Sequence, residues 1–233
     1  AITVEAFNLA ETYRTPVILL LDEAVAHMRE RFVVPQSGEI ALVERLKTTV
    51  RQDVDYHPYL PREDGRLPMS DFGGVHRFNV TGLFHDMWGF PSSEPGVVHD
   101  LLRHLVDKLE NRAHQLARYK EYFIEDAEQL LLSYGSAARS AYHTVENRRS
   151  RGERLGLLEL QTLWPFPKEI IREKCAHAKS VVVVEQNMGQ IMQAVKLAVD
   201  QPDKVFLANR IDGGFIAPSD IMNILRVIQG KGV

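Results

Sequence analysis

Strand-like and helix-like patterns alternate in the second half of the chain. Four consecutive valines, Val181–Val184, stand between polar residues. Such a run is typical of a strand covered on both faces of a parallel sheet. Similar apolar runs begin near Gln129, Arg154 and Lys204, and each is followed by a segment with helical spacing. Strands that alternate with crossover helices predict an α/β fold with a mostly parallel sheet over residues 122–233.

The first half of the chain holds fewer regular patterns. Residues 4–13 have helical spacing, and the apolar run 17–21 predicts a strand. Prolines and glycines between positions 48 and 74 argue against a regular element there. From Gly96 to about Lys120, apolar side chains spaced three and four apart predict one long amphipathic helix, whose apolar face should lie in a core.

These patterns divide the chain into three regions. Residues 1–47 are interpreted as the end of one α/β domain, residues 48–121 as a connecting arm, loop and long helix, and residues 122–233 as a second α/β domain. Ala1 is not an initiator methionine. The residues that follow the apolar run 17–21 contain no second apolar strand with which it could pair. We therefore expect most of the sheet of the first domain to lie upstream.

Composition narrows the classes of function. The chain has 233 residues, 45% of them hydrophobic, which is enough for a sizeable core. Its net charge is -3 and its 28 basic residues are scattered, so a nucleic-acid partner is not expected. No apolar run approaches the roughly 20 residues that cross a bilayer, and no signal-peptide pattern is present. We expect no membrane partner and a cytoplasmic location.

Several common catalytic and binding motifs are missing from the sequence. Cys175 is the one cysteine, so this chain alone cannot form an internal disulfide or an all-cysteine metal site. Neither a G-x-G-x-x-G nor a P-loop pattern follows any predicted strand, which argues against a nucleotide cradle. A G-x-S-x-G nucleophile motif is also lacking.

Polar residues follow the valine strand directly. Asn187 and Gln190 should lie at the carboxyl edge of the sheet, where parallel sheets bind ligands. A purely structural alternative is that Asn187 and Gly189 only form the turn into the next helix. Trp164, which precedes Pro165, is interpreted as a packed corner rather than a stacking platform.

A second polar cluster lies in a glycine-containing loop. Thr81-Gly82 is followed by His85-Asp86, a pair of titratable residues that could face an active site. Side chains of neighbouring residues usually point apart, so a structural pair is the stronger interpretation of this dipeptide.

Four segments together resemble one protein family. Leu157–Pro167 and Glu185–Gln190 are similar to the C-terminal domain of the alpha subunit of 2-oxoacid:ferredoxin oxidoreductases. Ala6–Ile18 and Thr81–Asp86 fit the same subunit in the same order. The resemblance covers essentially the whole chain and is strongest to the 2-oxoglutarate (KorA-type) alpha subunit.

The resemblance implies a fold, a reaction and partners. The fold would be the end of a pyrimidine-binding-type α/β domain, followed by a transketolase C-terminal-like domain. The reaction would be oxidative decarboxylation of a 2-oxoacid with coenzyme A to acyl-coenzyme A and CO2, with electrons passed to ferredoxin. Thiamine diphosphate with Mg²⁺ and an iron-sulfur cluster would be held mainly by a beta subunit and by the region upstream of Ala1, so this chain alone would be inactive.

The resemblance also suggests which residues lie near the substrate or coenzyme A, and it leaves alternatives open. No catalytic residue or metal ligand is assigned within the chain. The substrate could instead be pyruvate or a branched-chain 2-oxoacid. Two alternative functions also remain: a transketolase-like or dehydrogenase-type thiamine enzyme, and a non-catalytic assembly subunit. The residues placed near the substrate or coenzyme A are Thr81, Gly82, His85, Asp86, Asn187 and Gln190.

Overall fold

A computed structural model describes residues 2–36, 38–51 and 55–230 of the chain. Ala1, Ser37, residues 52–54 and residues 231–233, which fall within the three predicted regions, lie outside the described residues. The chain forms two compact units. Unit 1 comprises the residues up to Leu20 together with Met28–Arg112, and unit 2 comprises Leu21–His27 together with the residues from Ala113 onward. Among the described residues, no helix is long and apolar enough to cross a membrane.

Unit 2 is built on a five-stranded sheet with the order β1-β3-β2-β4-β5. Strands β2 to β5 are parallel to one another, and β1 pairs with β3 in the antiparallel direction. The fold class predicted from the sequence, α/β with a mostly parallel sheet, is therefore confirmed. The strands are β1 (Tyr119–Tyr122), β2 (Gln129–Tyr134), β3 (Leu155–Leu160), β4 (Ser180–Glu185) and β5 (Val205–Asn209).

Helices cover both faces of this sheet. Helices α5 and α8 pack on one face, while α6 and α7 pack on the other. The valines of β4 alternate between the two layers, with Val181 and Val183 on the α6–α7 face and Val182 and Val184 on the α5–α8 face. Burial on both faces explains the continuous valine run. The helices of unit 2 are α2 (Glu23–Ala26), α4 (Ala113–Leu116), α5 (Ala137–Arg149), α6 (Lys168–Cys175), α7 (Gln190–Ala198) and α8 (Pro218–Gly230), with a short 3-10 helix at Pro202–Lys204.

Unit 1 contains two longer helices and much irregular backbone. Helix α1 spans Ile2–Tyr13 and helix α3 spans Pro95–Glu110. Residues 55–74 contain no helix or strand longer than a single turn or bridge, as their glycines and prolines predicted. Tyr56 and Leu67 are nevertheless buried, so this arm supplies part of the interior of unit 1.

Three predictions for the first half of the chain differ from the structure. The run 17–21 forms no strand, because it pairs with no other strand in the described part of the chain. The long helix ends at Glu110, and Tyr119–Tyr122 instead pairs with β3, so sheet hydrogen bonding overrides local helical spacing there. The expected core stripe of α3 is only partly buried: Leu109 is buried, whereas Leu102, Leu105 and Val106 are 44%, 41% and 42% exposed.

Two cations lie close together inside unit 1. Lys108 is only 5% exposed, and its Nζ donates to the Arg14 carbonyl over 3.1 Å. The Arg14 guanidinium donates to the Pro58 carbonyl at 2.8 Å and lies 5.9 Å from the centre of the Tyr59 ring. Burial, and secondly the charge of Arg14, lower the pKa of Lys108 below its ordinary value.

We predict that replacing Lys108 with methionine flattens the pH dependence of the stability of unit 1. Because the folded-state pKa of Lys108 is lowered, the unfolded chain binds more protons just below the ordinary lysine pKa. The wild-type chain should therefore gain stability relative to Lys108→Met as the pH rises toward 10.5. Urea unfolding at several pH values would measure this change. In a Trp164→Phe background, Trp88 is the remaining tryptophan and reports on unit 1.

The matched control is Lys196→Met. Lys196 is an exposed lysine on α7 of unit 2. This substitution should leave the pH dependence of unit 1 unchanged. Parallel pH curves for the wild-type chain and Lys108→Met would contradict the prediction.

Candidate functional site

The ends of β2 and β4 form the central part of the sheet edge. These two strands are parallel neighbours, and the chain leaves β2 toward β3 on one side but later passes from β4 to β5 on the other. A reversal of this kind creates a crevice beyond the strand ends, where ligands commonly bind to α/β sheets. We call this region the carboxyl edge; it comprises Tyr134–Ser136 after β2 and Glu185–Gln190 after β4.

Glu185, the last residue of β4, is fully buried at the start of α7. One carboxylate oxygen accepts the backbone N–H of Met192 at 3.0 Å, and the other accepts that of Ile191 at 3.1 Å. The second oxygen also accepts the Tyr134 hydroxyl at 3.1 Å. A negative charge at a helix N-terminus is favourable because it meets unpaired N–H groups and the positive end of the helix dipole. Glu185 therefore joins β2, β4 and α7.

Asn187 extends this network and forms the turn. Its side-chain nitrogen donates to the Tyr134 hydroxyl over 2.6 Å. Its side-chain oxygen accepts the N–H groups of Gly189 at 2.8 Å and Gln190 at 3.2 Å. Gly189 has a φ of 96°, which a residue with a side chain rarely adopts. Burial, followed by the charge of Glu185, raises the pKa of Tyr134, so its phenol keeps its proton at neutral pH.

Asp22 lies against the turn that follows β2. Its Oδ2 accepts the backbone N–H of Ser136 at 2.6 Å, close to the start of α5. The Ser136 hydroxyl in turn donates to Oε1 of Gln186, 3.0 Å away. Gly135 has a φ of 59°, and a Cβ at this position would lie 2.9 Å from Oδ2 of Asp22. A carboxylate of the chain itself thus lies where an anionic ligand would otherwise meet the backbone of this turn.

Sequence reasoning missed Asp22. It precedes Ser136 by 114 residues and belongs to no motif. Sequence reasoning also missed the role of Glu185 at the N-terminus of α7. A buried acid at the end of a strand, six residues before a helical N–H, is a local signal that could have indicated it.

The two predicted residues of the carboxyl edge differ in their environments. The Asn187 side chain is committed to the turn and to Tyr134, which supports the structural interpretation of this residue. The Gln190 side chain is exposed and makes no side-chain hydrogen bond within the described part of the chain. The carboxamide of Gln190 is therefore available to a ligand or another protein.

The four remaining predicted residues lie in one loop of unit 1. Thr81 Oγ1 is 2.9 Å from Nε2 of His85, whose buried ring stacks on Tyr59 with a centroid distance of 4.6 Å. Asp86 Oδ1 accepts the backbone N–H groups of Trp88 and Phe90, each at 3.0 Å.

The loop therefore contains no catalytic His–Asp pair. His85 and Asp86 make separate contacts, as expected for neighbours in sequence, and they do not hydrogen bond to each other. Gly82 has open space around its Cα, and its backbone does not require a glycine.

Trp164 and Cys175 lie outside the two groups of predicted site residues. Trp164 is 62% exposed, so its interpretation as a packed corner is wrong: the turn leaves the indole in solvent. Cys175, the last residue of α6, is buried in the core between the sheet and helices α6 and α7, and burial raises the pKa of its thiol to about 12. Within residues 2–36, 38–51 and 55–230, no group of three or more His, Cys, Asp or Glu residues could hold a metal ion.

We predict that Glu185→Gln destabilises unit 2 by about 2–3 kcal/mol. The substitution removes the charge that accepts three hydrogen bonds and directs an amide toward helix N–H groups. Urea unfolding followed through Trp164 in a Trp88→Phe background would measure the loss. The control is Glu169→Gln, an exposed acid in the first turn of α6, which should change stability by less than about 1 kcal/mol. Equal effects of the two substitutions would argue against the capping role.

The two predicted residues of the carboxyl edge should also differ in stability measurements. Asn187→Ala removes three hydrogen bonds and should cost about 1–2 kcal/mol. Gln190→Ala should change stability by less than about 0.5 kcal/mol, because its side chain is exposed. Thermal unfolding of both variants is sufficient to compare them. A larger loss for Gln190→Ala than for Asn187→Ala would contradict these assignments.

Two family models match the chain in order. Residues 1–100 match the model described as "Pyruvate flavodoxin/ferredoxin oxidoreductase, thiamine diP-bdg". Residues 127–221 match the model described as "Pyruvate:ferredoxin oxidoreductase core domain II". Between them the models cover most of the sequence, and both come from one group of enzymes.

Curated relatives agree with these matches. The 2-oxoglutarate synthase subunit KorA of Methanothermobacter marburgensis is 36% identical over 222 residues, which are 95% of this chain and 58% of that protein. The ketoisovalerate oxidoreductase subunit VorB of the same organism is 32% identical over 99% of this chain and 57% of that protein. The chain thus spans less than two thirds of the length of these relatives.

A solved structure shares the fold. It is the 2-oxoglutarate:ferredoxin oxidoreductase from Magnetococcus marinus, with a TM-score of 0.84 over 97% of this chain and 39% of that one, at 23% sequence identity. At this identity, the likeness concerns the fold. The two family models and the curated relatives identify the chain as a member of the 2-oxoacid:ferredoxin oxidoreductase family, similar to part of a KorA subunit.

Proposed function

We propose that this chain is part of the alpha subunit of a 2-oxoglutarate:ferredoxin oxidoreductase. The complex would convert a 2-oxoacid and coenzyme A to acyl-coenzyme A and CO2, and it would pass the electrons to ferredoxin. The single observation that best supports this proposal is the match to KorA subunits at 36% identity over 95% of the chain. The beta subunit would be the obligatory partner.

The proposed substrate is 2-oxoglutarate. The names of the relatives favour it, since KorA subunits of three archaea are 36%, 36% and 33% identical to the chain. The ketoisovalerate subunits follow at 32% and 30%, which makes a branched-chain 2-oxoacid the second candidate. Pyruvate is a further alternative, because both family models carry pyruvate in their descriptions.

Thiamine diphosphate is the proposed cofactor, and it supplies the carbanion chemistry of such enzymes when bound. The described residues do not fit the metal-containing groups that accompany it: they offer no cluster of metal ligands, and Cys175 is a buried thiol. We therefore propose that Mg²⁺ and the iron-sulfur cluster are held by the beta subunit and by parts of the complex outside this chain. This chain would contribute binding surfaces and assembly.

We further propose a domain division and a set of residues near the substrate or coenzyme A. Residues 1–47 would end the pyrimidine-side domain, residues 48–121 would connect, and residues 122–233 would form the transketolase C-terminal-like domain. His85, Asp86 and Asn187 would act indirectly by holding their turns, since their side chains are committed to internal hydrogen bonds. The groups proposed to lie at the surface near substrate or coenzyme A are Thr81, Gly82 and Gln190.

A non-catalytic assembly role is the main alternative. The carboxyl edge would then serve only to brace a catalytic partner, and Asp22 would stay bonded to the turn that follows β2. Loss of turnover in a variant that still assembles would argue against this alternative.

We predict that the full-length alpha subunit, assembled with its beta partner, reduces ferredoxin or a viologen when supplied with an oxoacid and coenzyme A. Among 2-oxoglutarate, pyruvate and 2-oxoisovalerate, kcat/KM should be highest for 2-oxoglutarate by about tenfold or more, because the pocket of the complex would pair the second carboxylate. Reactions without coenzyme A or without oxoacid are the controls. Preference for another oxoacid would correct the substrate, and no activity from a cofactor-loaded complex would contradict the proposal.

In the same assay, Gln190→Ala should raise the KM for coenzyme A or for the oxoacid about three- to tenfold, the loss expected for one hydrogen bond to a ligand. Size-exclusion chromatography would verify that the complex still assembles. Glu169→Gln, at an exposed position of α6, is the matched control and should leave both constants unchanged. Unchanged kinetics of Gln190→Ala would remove this residue from the proposed site while leaving the overall reaction intact.

A further inference from the structure

A polar groove runs between helices α5 and α8 of unit 2. Its volume is about 260 Å³, which is slightly below the range of about 300–1,000 Å³ typical of pockets for drug-sized ligands. The groove lies on the helix layer rather than among the residues of the carboxyl edge described above. It is lined by His143, Thr144, Asn147 and Arg151 of α5 and its C-terminal turn, and by Pro218, Ser219, Met222, Asn223 and Arg226 of α8.

Every ionisable side chain in this lining is basic. Arg151, Arg226 and His143 line the groove, and no Asp or Glu does. The chain as a whole is slightly acidic, with a net charge of -3. An excess of basic residues in the whole chain therefore does not explain this local group of basic side chains. The groove is therefore a local region of positive potential on an otherwise slightly acidic chain.

The two arginines of the groove differ from five of the other seven arginines of unit 2. Arg151 and Arg226 make no ion pair or side-chain hydrogen bond within the described residues. Both guanidinium groups thus keep all their donors for a ligand. In contrast, five other arginines of the unit have carboxylate partners, in the pairs Arg148–Glu153, Arg149–Asp126, Arg154–Glu128, Arg172–Asp200 and Arg210–Asp212.

Neutral donors complete the groove. Asn147 and Asn223 contribute carboxamides from facing helices, and Ser219 contributes a hydroxyl in the first turn of α8. Thr144 is buried, and its hydroxyl is already donated to the Ser140 carbonyl at 2.8 Å. The Thr144 hydroxyl is therefore already paired, whereas the two carboxamides and the Ser219 hydroxyl make no side-chain hydrogen bond within the described residues.

A second groove of unit 2 lacks this character. It has a volume of about 440 Å³ and lies between β5 and α8. Its one arginine, Arg210, is bonded to both carboxylate oxygens of Asp212 at 2.6 and 3.0 Å, and it also faces Asp220 at 3.9 Å. The positive charge there is already neutralised, so this groove offers no comparable site for an anion.

We propose that the α5–α8 groove binds the phosphate group of a small phosphorylated molecule. Guanidinium groups pair with phosphate oxygens through two parallel hydrogen bonds, which suits the unpaired Arg151 and Arg226. The carboxamides and the hydroxyl would satisfy further phosphate oxygens, and the small volume fits a phosphate with a compact carrier better than a large ligand. The inference does not depend on the proposed oxidoreductase activity.

Isothermal titration of the 233-residue chain tests this site, with inorganic phosphate, pyrophosphate and glycerol 3-phosphate as probes at constant ionic strength. Binding should be saturable, with one site per chain. Arg151→Gln/Arg226→Gln should weaken it at least about tenfold, as expected when charge-assisted hydrogen bonds are removed. The charge-matched control, Lys168→Gln/Lys196→Gln, changes two exposed lysines on the opposite face of the sheet and should leave the dissociation constant within about twofold.

Each outcome bears on the proposal. Tighter binding of glycerol 3-phosphate than of inorganic phosphate would identify a phosphate ester as the ligand, and the reverse order would identify free phosphate. Failure of all three probes to bind at concentrations up to about 10 mM, tenfold above a dissociation constant of about 1 mM, would overturn the site. Equal weakening of binding by the lysine control would also overturn it. Binding of an acidic peptide to the arginines without binding of any phosphate would also overturn it, in favour of a protein partner.

Discussion

The buried carboxylate of Glu185 is the contact on which the carboxyl edge of unit 2 depends. A charge taken out of water costs several kcal/mol unless it is fully hydrogen bonded. Here two helix N–H groups and the Tyr134 hydroxyl compensate it. The same three bonds fix where β4 ends, where α7 begins and where β2 lies beside them. The turn between β4 and α7, including Asn187, is built around this compensation.

A second carboxylate acts in a similar way at the neighbouring strand. Asp22 accepts the N–H of Ser136 close to the start of α5, so a side chain from a distant segment holds the turn that follows β2. A backbone N–H group at the carboxyl edge is thus used for internal structure. At the neighbouring turn, the Asn187 side chain is hydrogen bonded internally, whereas the Gln190 side chain is exposed.

The sequence predicted what depends on local patterns. The valine run predicted a strand covered on both faces, and strand–helix alternation predicted the parallel sheet. The resemblance of four short segments predicted the family. Contacts between distant residues could not be derived in this way: Asp22 with Ser136 and the pairing of β1 with β3 are set by tertiary packing. Local spacing also failed in unit 1, where α3 ends at Glu110 and three of its apolar side chains, Leu102, Leu105 and Val106, are exposed.

Amide hydrogen exchange tests most directly whether the two carboxylates hold the carboxyl edge together. The informative amides are Ser136, Ile191 and Met192, which donate to Asp22 and Glu185. If the carboxylates are the constraint described here, these amides should exchange nearly as slowly as those of the buried strand β4, Val182–Val184. Exchange as fast as that of the exposed Gly213 would contradict the account, because it would mean that the helix N-termini open independently of the sheet.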